Sequence, residues 1–235
     1  MTASRLGLLA VVLLLSASAQ VFAAPIGYTG SLTGSDIHGT GVWVDQLLLP
    51  ADELPSWTAP SITWTITLNP DLSWHYDYTL SIYKKDISHL TLEVSPTFSG
   101  SNVRNASWPG GSIEVQDYGP DDGNSNPGMP GTFHGLKFDN ASGTNLHVYF
   151  DSDRAPVWGD FYAKGGKSGS VFNAVWNAGF GNPDTDPSVP PGGGSLDGHL
   201  LVPDSRSYPP VPEPSSLAAL GIGLMCLLAR RRRRG

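Results

Sequence analysis

Hydrophobic and polar residues alternate strictly along two neighbouring stretches of the chain. From Ser61 to Leu68 every second residue is Ile, Trp or Leu, and the residues between them are Ser or Thr. From Ser73 to Ile82 aromatic and aliphatic residues again occupy every second position. A period of two is typical of antiparallel strands with one buried face. Since Asn69-Pro70-Asp71 between them suits a turn, the two stretches predict a β-hairpin.

Shorter runs with strand character continue along the chain. They lie at Gly41–Leu49, His89–Val94, Ser112–Gln116, Thr132–Phe138, Thr144–Asp151, Val157–Lys164, Val171–Trp176 and Gly198–Val202. Segments rich in Gly, Pro, Asn and Asp separate several of them, notably 119–131 and 182–194. Helical periodicity does not extend beyond two turns between the two chain ends. The pattern therefore predicts an all-β fold, an antiparallel β-sandwich or jelly roll, and leaves the strand order open.

The amino-terminal end has the pattern of a secretory signal peptide. Arg5 precedes an apolar run from Leu6 to Leu15, and small residues follow. A positive start, an apolar centre and a small-residue exit define such a segment. We predict a signal peptide over residues 1–23 with cleavage between Ala23 and Ala24. A cut between Ala19 and Gln20 is the alternative.

The carboxyl-terminal end combines three short features. An apolar segment over residues 215–229 lies between a Pro-Glu-Pro tripeptide and five arginines. As a helix these 15 residues cover about 22 Å, less than the roughly 30 Å of bilayer hydrocarbon. Arginine clusters remain on the cytoplasmic side of a membrane. The segment is therefore either a marginal permanent anchor or a handle that is held in the membrane briefly and then removed.

These three features resemble the PEP-CTERM sorting signal. The residues that carry the resemblance are Pro212, Glu213, Pro214, Arg230, Arg231, Arg232, Arg233 and Arg234. The resemblance implies that exosortase, a membrane-embedded processing enzyme of Gram-negative bacteria that produce extracellular polysaccharide, cleaves the chain near the tripeptide. It also implies passage through the secretion machinery, transient insertion in the inner membrane and delivery to the cell surface or extracellular matrix. We therefore divide the chain into a signal peptide (1–23), an exported domain (24–208) and a sorting signal (209–235).

Removing both ends makes the remaining domain strongly acidic. It keeps eight basic and 20 acidic residues, a net charge of −12. A nucleic-acid backbone would be repelled by such a surface, so nucleic acid is not expected as a partner. The one cysteine, Cys226, lies in the apolar tail segment. Disulfides, thiol catalysis and thiolate metal sites are therefore excluded from the exported domain.

Catalytic motifs are not evident in the exported domain. Its six histidines show no His-Glu-x-x-His pattern, and the chain has no Gly-x-Ser-x-Gly elbow. A glycosidase needs only two suitably placed carboxylates. The candidates for such a pair are Glu93, Glu114, Asp151, Asp153 and Asp160, but no spacing among them selects two. We therefore predict that the protein is not an enzyme, with a secreted polysaccharide hydrolase as the least favoured alternative.

Two groups of residues remain as candidate binding sites. Asp122, Asn124 and Asn126 place oxygen atoms on alternate residues, as calcium loops do. The glycine and the glutamate of a helix-loop-helix calcium site are missing at the required positions, so an ordinary Asp- and Asn-rich turn is the favoured interpretation. No other cofactor is expected.

Trp57 and Trp108 lie outside the alternating runs, beside Pro, Ser or Gly. Exposed aromatic rings stack on the apolar faces of sugars, so these two tryptophans are candidate sugar contacts. They could equally fasten loops over the core. Taken together, the sequence predicts an exported, non-catalytic surface or matrix protein associated with extracellular polysaccharide or biofilm. A carbohydrate-binding or adhesin module is the main alternative.

Overall fold

The computed structural model describes residues 27–43, 59–120, 126–181 and 193–203, and all structural statements below concern these ranges. Thirteen strands lie in them. Their bounds are β1 Gly27–Thr33, β2 Ile37–Thr40, β3 Ser61–Leu68, β4 Trp74–Ser81, β5 Ile87–Glu93, β6 Arg104–Ser107, β7 Ser112–Tyr118, β8 Phe133–Asp139, β9 Asn145–Ser152, β10 Pro156–Gly159, β11 Phe161–Ser168, β12 Val171–Asn177 and β13 Leu200–Pro203. The helical elements of the described residues are short 3₁₀ turns of three residues each, such as Gly34–Asp36.

The strands form two large sheets and one small one. A five-stranded sheet has the order β1-β3-β4-β9-β6, and a six-stranded sheet has the order β2-β12-β11-β5-β8-β7. Strands β10 and β13 pair separately. All of the pairings are antiparallel. The predicted all-β antiparallel fold class is therefore confirmed.

The alternation of the sequence determines which side chains face the core. Every second residue of β3 and β4 is buried between the two large sheets, including Ile62, Ile66 and Leu80. Phe138 of the six-stranded sheet lies 5.7 Å from Phe150 of the five-stranded sheet, measured between ring centroids. The two sheets thus pack face to face as a sandwich. Strand β13 lines the same core, where the Tyr78 hydroxyl donates to the Leu201 carbonyl at 2.8 Å.

Gly30 shows how tightly the edge of this core is packed. It pairs with Trp64 on the neighbouring strand. A Cβ atom at Gly30 would overlap the Trp64 indole ring. The two glycines of β1 leave the strand with little β-propensity of its own. The sequence pattern therefore did not predict β1, which forms because a partner strand is present.

Most predicted strands are confirmed, and three details differ. Gly41–Trp43 forms a 3₁₀ turn instead of the start of a strand, and the rest of that predicted run lies outside the described residues. The run Val157–Lys164 is divided at Asp160, because the chain passes there from the small sheet into the six-stranded sheet. Strands β2 and β6 were missed, since each has only four residues and no clear apolar alternation.

The predicted signal peptide, the predicted linker and the sorting signal lie outside the described residues. Within the described ranges, the structure contains no helix with the length and apolar character needed to cross a membrane.

Candidate functional site

The outward side of the five-stranded sheet is an open, regular array of polar side chains, which we call the polar face. Strand pairing aligns its residues in four rows. These rows are Thr33–Ser61–Ser81–Asn145, Ser31–Thr63–Thr79–His147, Thr29–Thr65–Asp77–Tyr149 and Gly27–Thr67–His75–Asp151. With strands about 4.8 Å apart and alternate residues about 6.8 Å apart, the array covers roughly 14 by 20 Å. Most of its positions carry a hydroxyl, imidazole, carboxylate or amide group.

Tyr149 is the one large aromatic residue of these rows and lies between two imidazoles. Its ring centroid is 5.7 Å from that of His75 and 5.7 Å from that of His147. Each imidazole is held by a carboxylate of the neighbouring strand. His147 Nε2 lies 3.0 Å from Asp77 Oδ1, and His75 Nδ1 lies 2.7 Å from Asp151 Oδ1. The half-buried tyrosine is therefore set in a fixed frame on the outward side of the sheet.

Asp151 anchors one end of the polar face. Its carboxylate accepts hydrogen bonds from Asn105 Nδ2 at 2.7 Å and from Asn69 Nδ2 at 3.3 Å, in addition to the contact with His75. Burial acts to raise the pKa of Asp151, but the hydrogen bonds from Asn105, His75 and Asn69 outweigh it and hold the pKa below its usual range. The carboxylate therefore stays charged at neutral pH and fixes the β3–β4 turn and strand β6 to β9.

The chemistry of the polar face suits recognition of a hydroxyl-rich polymer. Serine and threonine hydroxyls donate and accept hydrogen bonds, whereas carboxylates only accept them. A flat array of such groups around the Tyr149 ring can bind the hydroxyls of a sugar chain and contact one face of a sugar ring. No hydroxyl or thiol among the described residues hydrogen-bonds to His75 or His147. The two Asp–His pairs therefore resemble positioned binding groups more than an activated nucleophile.

A second polar cluster is buried where β10 ends and β11 begins. The Asp160 carboxylate accepts a hydrogen bond from Asn177 Nδ2 at 2.6 Å and lies 3.0 Å from His199 Nδ1. The Gly181 N–H donates to its other oxygen at 3.2 Å. The Asp160 N–H donates to Glu93 Oε2 at 2.9 Å, and the Glu93 N–H donates to the Asp160 carbonyl at 2.8 Å. Since each partner holds backbone at the strand crossover, this cluster stabilises the passage between sheets.

The five carboxylates named from the sequence as candidates for a catalytic pair lie at four places, and two of them come together. Glu93 and Asp160 share the crossover cluster just described. Glu114 lies 3.7 Å from Lys137 on the six-stranded sheet. Asp153 accepts a hydrogen bond from Asn102 Nδ2 at 2.9 Å, and Asp151 belongs to the polar face.

Of the two candidate sugar contacts, only Trp108 lies in the described residues. It is half-buried, and its ring meets the Phe138 ring edge-on at a centroid distance of 5.7 Å. Its indole N–H donates to the Asp139 carbonyl at 3.4 Å. These contacts fit the alternative in which Trp108 fastens a loop over the core. Trp57 lies outside the described residues.

Of the three candidate calcium ligands, likewise only one lies in the described residues. Asp122 and Asn124 lie outside the described residues, and Asn126 is buried with its Nδ2 donating to the Gly119 carbonyl at 3.3 Å. Across the described ranges, no three His, Cys, Asp or Glu side chains come together as a metal-binding group. The amide of Asn126 thus closes a loop, as the turn interpretation expects.

Sequence reasoning identified the outward side of β3 and β4 as polar but did not identify the polar face. The rows depend on which strands are neighbours, and β9 follows β4 by more than sixty residues. Period-two alternation in Thr144–Asp151 was the available signal. It placed His147, Tyr149 and Asp151 on one side of a strand without showing which strand lies beside them.

Comparison with known proteins identifies the carboxyl-terminal end of the chain. Residues 210–234 match the PEP-CTERM protein-sorting motif, which confirms the resemblance found in the sequence. No curated protein and no solved structure matches the chain. The motif indicates an exported protein that is made as a membrane-anchored precursor and processed by exosortase. The signal-cleavage residues Ala23 and Ala24 and the individual sorting residues lie outside the described ranges and stay predictions.

Proposed function

We propose that this protein is a non-catalytic component of the cell surface or extracellular matrix of a Gram-negative bacterium, where it associates with extracellular polysaccharide. Exosortase processing supplies the route out of the inner membrane. The domain that remains is acidic, free of cysteine and built as a rigid sandwich. Its contact with the matrix is made by the polar face.

The open, in-register polar face is the observation that carries this proposal. Every antiparallel sheet aligns its residues in cross-strand rows, but here two imidazoles, each fixed by a carboxylate, also flank the Tyr149 ring. The arrangement favours the carbohydrate-binding module over a passive surface protein. In this protein the sugar contact is assigned to Tyr149 and its neighbours, with Trp108 in a supporting structural role.

Binding to polysaccharide purified from the producing host tests the proposal. Tyr149→Ala removes the central ring and is expected to weaken binding about fivefold to tenfold, as loss of a central aromatic contact does. Leu196→Ala, at a side chain that is 49% exposed elsewhere on the surface, serves as the control and should bind normally. Unchanged thermal unfolding of both variants would show that the fold is intact. Equal binding by all three proteins would exclude the polar face as the contact.

The intact mass of the mature protein, isolated from its host, tests the route of export. The expected species begins near Ala24 and ends near Pro212, with or without an attached group. A full-length chain that persists in the membrane of a host with exosortase would contradict the processing step. If the protein hydrolyses the polysaccharide and Asp77→Asn or Asp151→Asn abolishes this activity, the protein is a hydrolase and the proposed binding function is wrong.

A further inference from the structure

Positive charge is concentrated at one end of this acidic domain. Seven basic residues lie in the described ranges, and four of them are on the β4–β5 connection and on strand β11 beside it. These four are Lys84, Lys85, Lys164 and Lys167. We call this region, together with the neighbouring side chains of Tyr83, Val171 and Phe172, the basic tip.

Strand pairing and Trp43 bring these two regions together. The β4–β5 connection carries Lys84 and Lys85, and β11, which pairs with β5, carries Lys164 and Lys167. The Trp43 indole N–H donates to the Lys84 carbonyl at 2.9 Å. Its ring lies against Gly165, where a Cβ atom would overlap the indole and the Asp86 carbonyl. One buried tryptophan therefore fixes both regions side by side.

The lysines of the tip are held near aromatic rings. Lys164 Nζ lies 4.9 Å and Lys167 Nζ lies 4.4 Å from the centroid of the Phe172 ring. Lys84 Nζ lies 5.5 Å from the centroid of the Tyr83 ring. Two ammonium groups that share one ring repel each other. Burial lowers the pKa of Lys164, and the nearby charges of Lys137 and Lys167 lower it further.

Few acidic groups offset this charge. Among the described residues, Lys84, Lys85 and Lys167 make no salt bridge within 4 Å. Asp86 lies in the same turn, and Asp139 acts on Lys164 from the neighbouring part of the sheet. In a domain with net charge −12, a cluster of four lysines with few acidic neighbours is a site for an anionic partner.

Apolar surface adjoins the charge at this end. Tyr83 is 42% exposed and Val171 is 48% exposed. The tip also adjoins the first row of the polar face, since Ser81 is followed directly by Ile82 and Tyr83. Strand β13, which leads towards the sorting motif, ends at Pro203 beside Pro156, near the opposite end of β4 and β9. The basic tip therefore lies at the end of the described strands opposite Pro203.

We propose that the basic tip binds acidic polysaccharide, a polymer whose sugars carry carboxylates. The lysines would pair with the carboxylates while Tyr83 and Val171 contact the sugar rings. This inference rests on the proposed association with matrix polysaccharide and adds the charge class of the polymer. An anionic membrane has related headgroup charge, and vesicle binding is therefore one of the outcomes that the test distinguishes.

The test uses processed protein from the exporting host and two forms of one polymer, polygalacturonate and the same polymer after methyl esterification of its carboxyls. We expect binding to polygalacturonate, weaker binding as salt is raised, and little binding to the ester. The triple variant K84Q/K85Q/K167Q should bind about tenfold more weakly, since several modest exposed charge contacts are removed together. Two single variants provide the matched control. R104Q removes an exposed positive charge far from the tip, and K84Q removes one on the tip.

Each outcome of these binding measurements either supports or overturns the proposed site at the basic tip. Unchanged binding by the triple variant, equal binding to the ester, or tighter binding to phosphatidylglycerol vesicles than to the polymer would overturn the acidic-polysaccharide site. Tyr149→Ala separates this inference from the function of the polar face. If the triple variant loses polygalacturonate binding and Tyr149→Ala keeps it, the tip acts independently of the face. If neither polymer form nor host polysaccharide binds, the proposed function fails and this inference fails with it.

Discussion

The outer faces of the two large sheets differ in their exposure to solvent. The five-stranded sheet exposes the polar face to solvent. The outer side of the six-stranded sheet is covered, because Met129 and Phe133 of the segment 126–133 pack on Tyr118, Tyr162 and Ala174 to form a second apolar cluster. As a result His89 and Thr91 of β5 are buried although they point away from the main core.

This difference separates structural from functional polar residues. A buried polar group without a partner lowers stability, and His89 Nε2 and Thr91 Oγ1 have no hydrogen-bond partner within the described structure. On the polar face both histidines and both aspartates have a hydrogen-bond partner on a neighbouring strand or loop, and most remain in contact with water. The covered face therefore serves folding, whereas the open face is available for a ligand.

The largest expected effect is a difference in the loss of unfolding free energy between substitutions on the two faces. Tyr162 is fully buried and its hydroxyl donates to the Pro127 carbonyl at 3.0 Å, so Tyr162→Ala should lower the free energy of unfolding by about 3 to 5 kcal/mol. Tyr149→Ala, its counterpart on the open face, should cost about 1 kcal/mol or less. Chemical denaturation of both variants measures the difference. Equal losses would mean that the open face is also part of the folding core.

The next effect depends on pH. Burial lowers the pKa of His89 to about 3, and the positive charges of Lys137 and Lys164 act in the same direction, against Asp139 and the nearby Asn126 side chain. In the unfolded chain a histidine titrates near 6.5. Between these two values the unfolded chain binds a proton that the folded protein does not. Stability is therefore full above about pH 6.5 and declines as the pH falls towards 3, by about 1 kcal/mol per pH unit.

His89→Gln should flatten this decline between pH 6 and pH 4. His147→Gln, at a side chain that is 52% exposed on the polar face, should leave the slope as it is in the unsubstituted protein. Denaturation midpoints measured across this pH range provide the comparison. The same slope in the His89 variant would show that other groups cause the acid sensitivity.

A smaller effect concerns the loop that covers the six-stranded sheet. Asn126→Ala removes the hydrogen bond to Gly119 and should cost about 1 kcal/mol, with faster hydrogen exchange in the described part of the loop. Thr79→Val on the polar face should change stability by less than about 0.5 kcal/mol. A larger loss for Thr79→Val than for Asn126→Ala would reverse the assignment of the two faces.

Local pattern accounts for much of the fold and for little of the site. Strict alternation in Ser61–Leu68 and Ser73–Ile82 predicted the central hairpin and its buried face, because a half-exposed strand leaves a period-two signal. The same alternation puts His89 opposite Leu90 and Leu92, on the polar side of its strand. It could not show that the segment 126–133 returns to cover that side, since the contact depends on tertiary packing. The basic tip was missed for a related reason, because Lys84 and Lys167 are far apart in sequence and come together only through strand pairing and Trp43.

Hydroxyl-radical footprinting of the processed protein, with and without its host's matrix polysaccharide, tests the central claim most directly. The account predicts that Tyr149 and His147 lose reactivity when the polymer is added, while Trp176 and Phe180 beside the covered face react as before. Protection confined to Trp176 and Phe180, or no protection at any side chain, would contradict it.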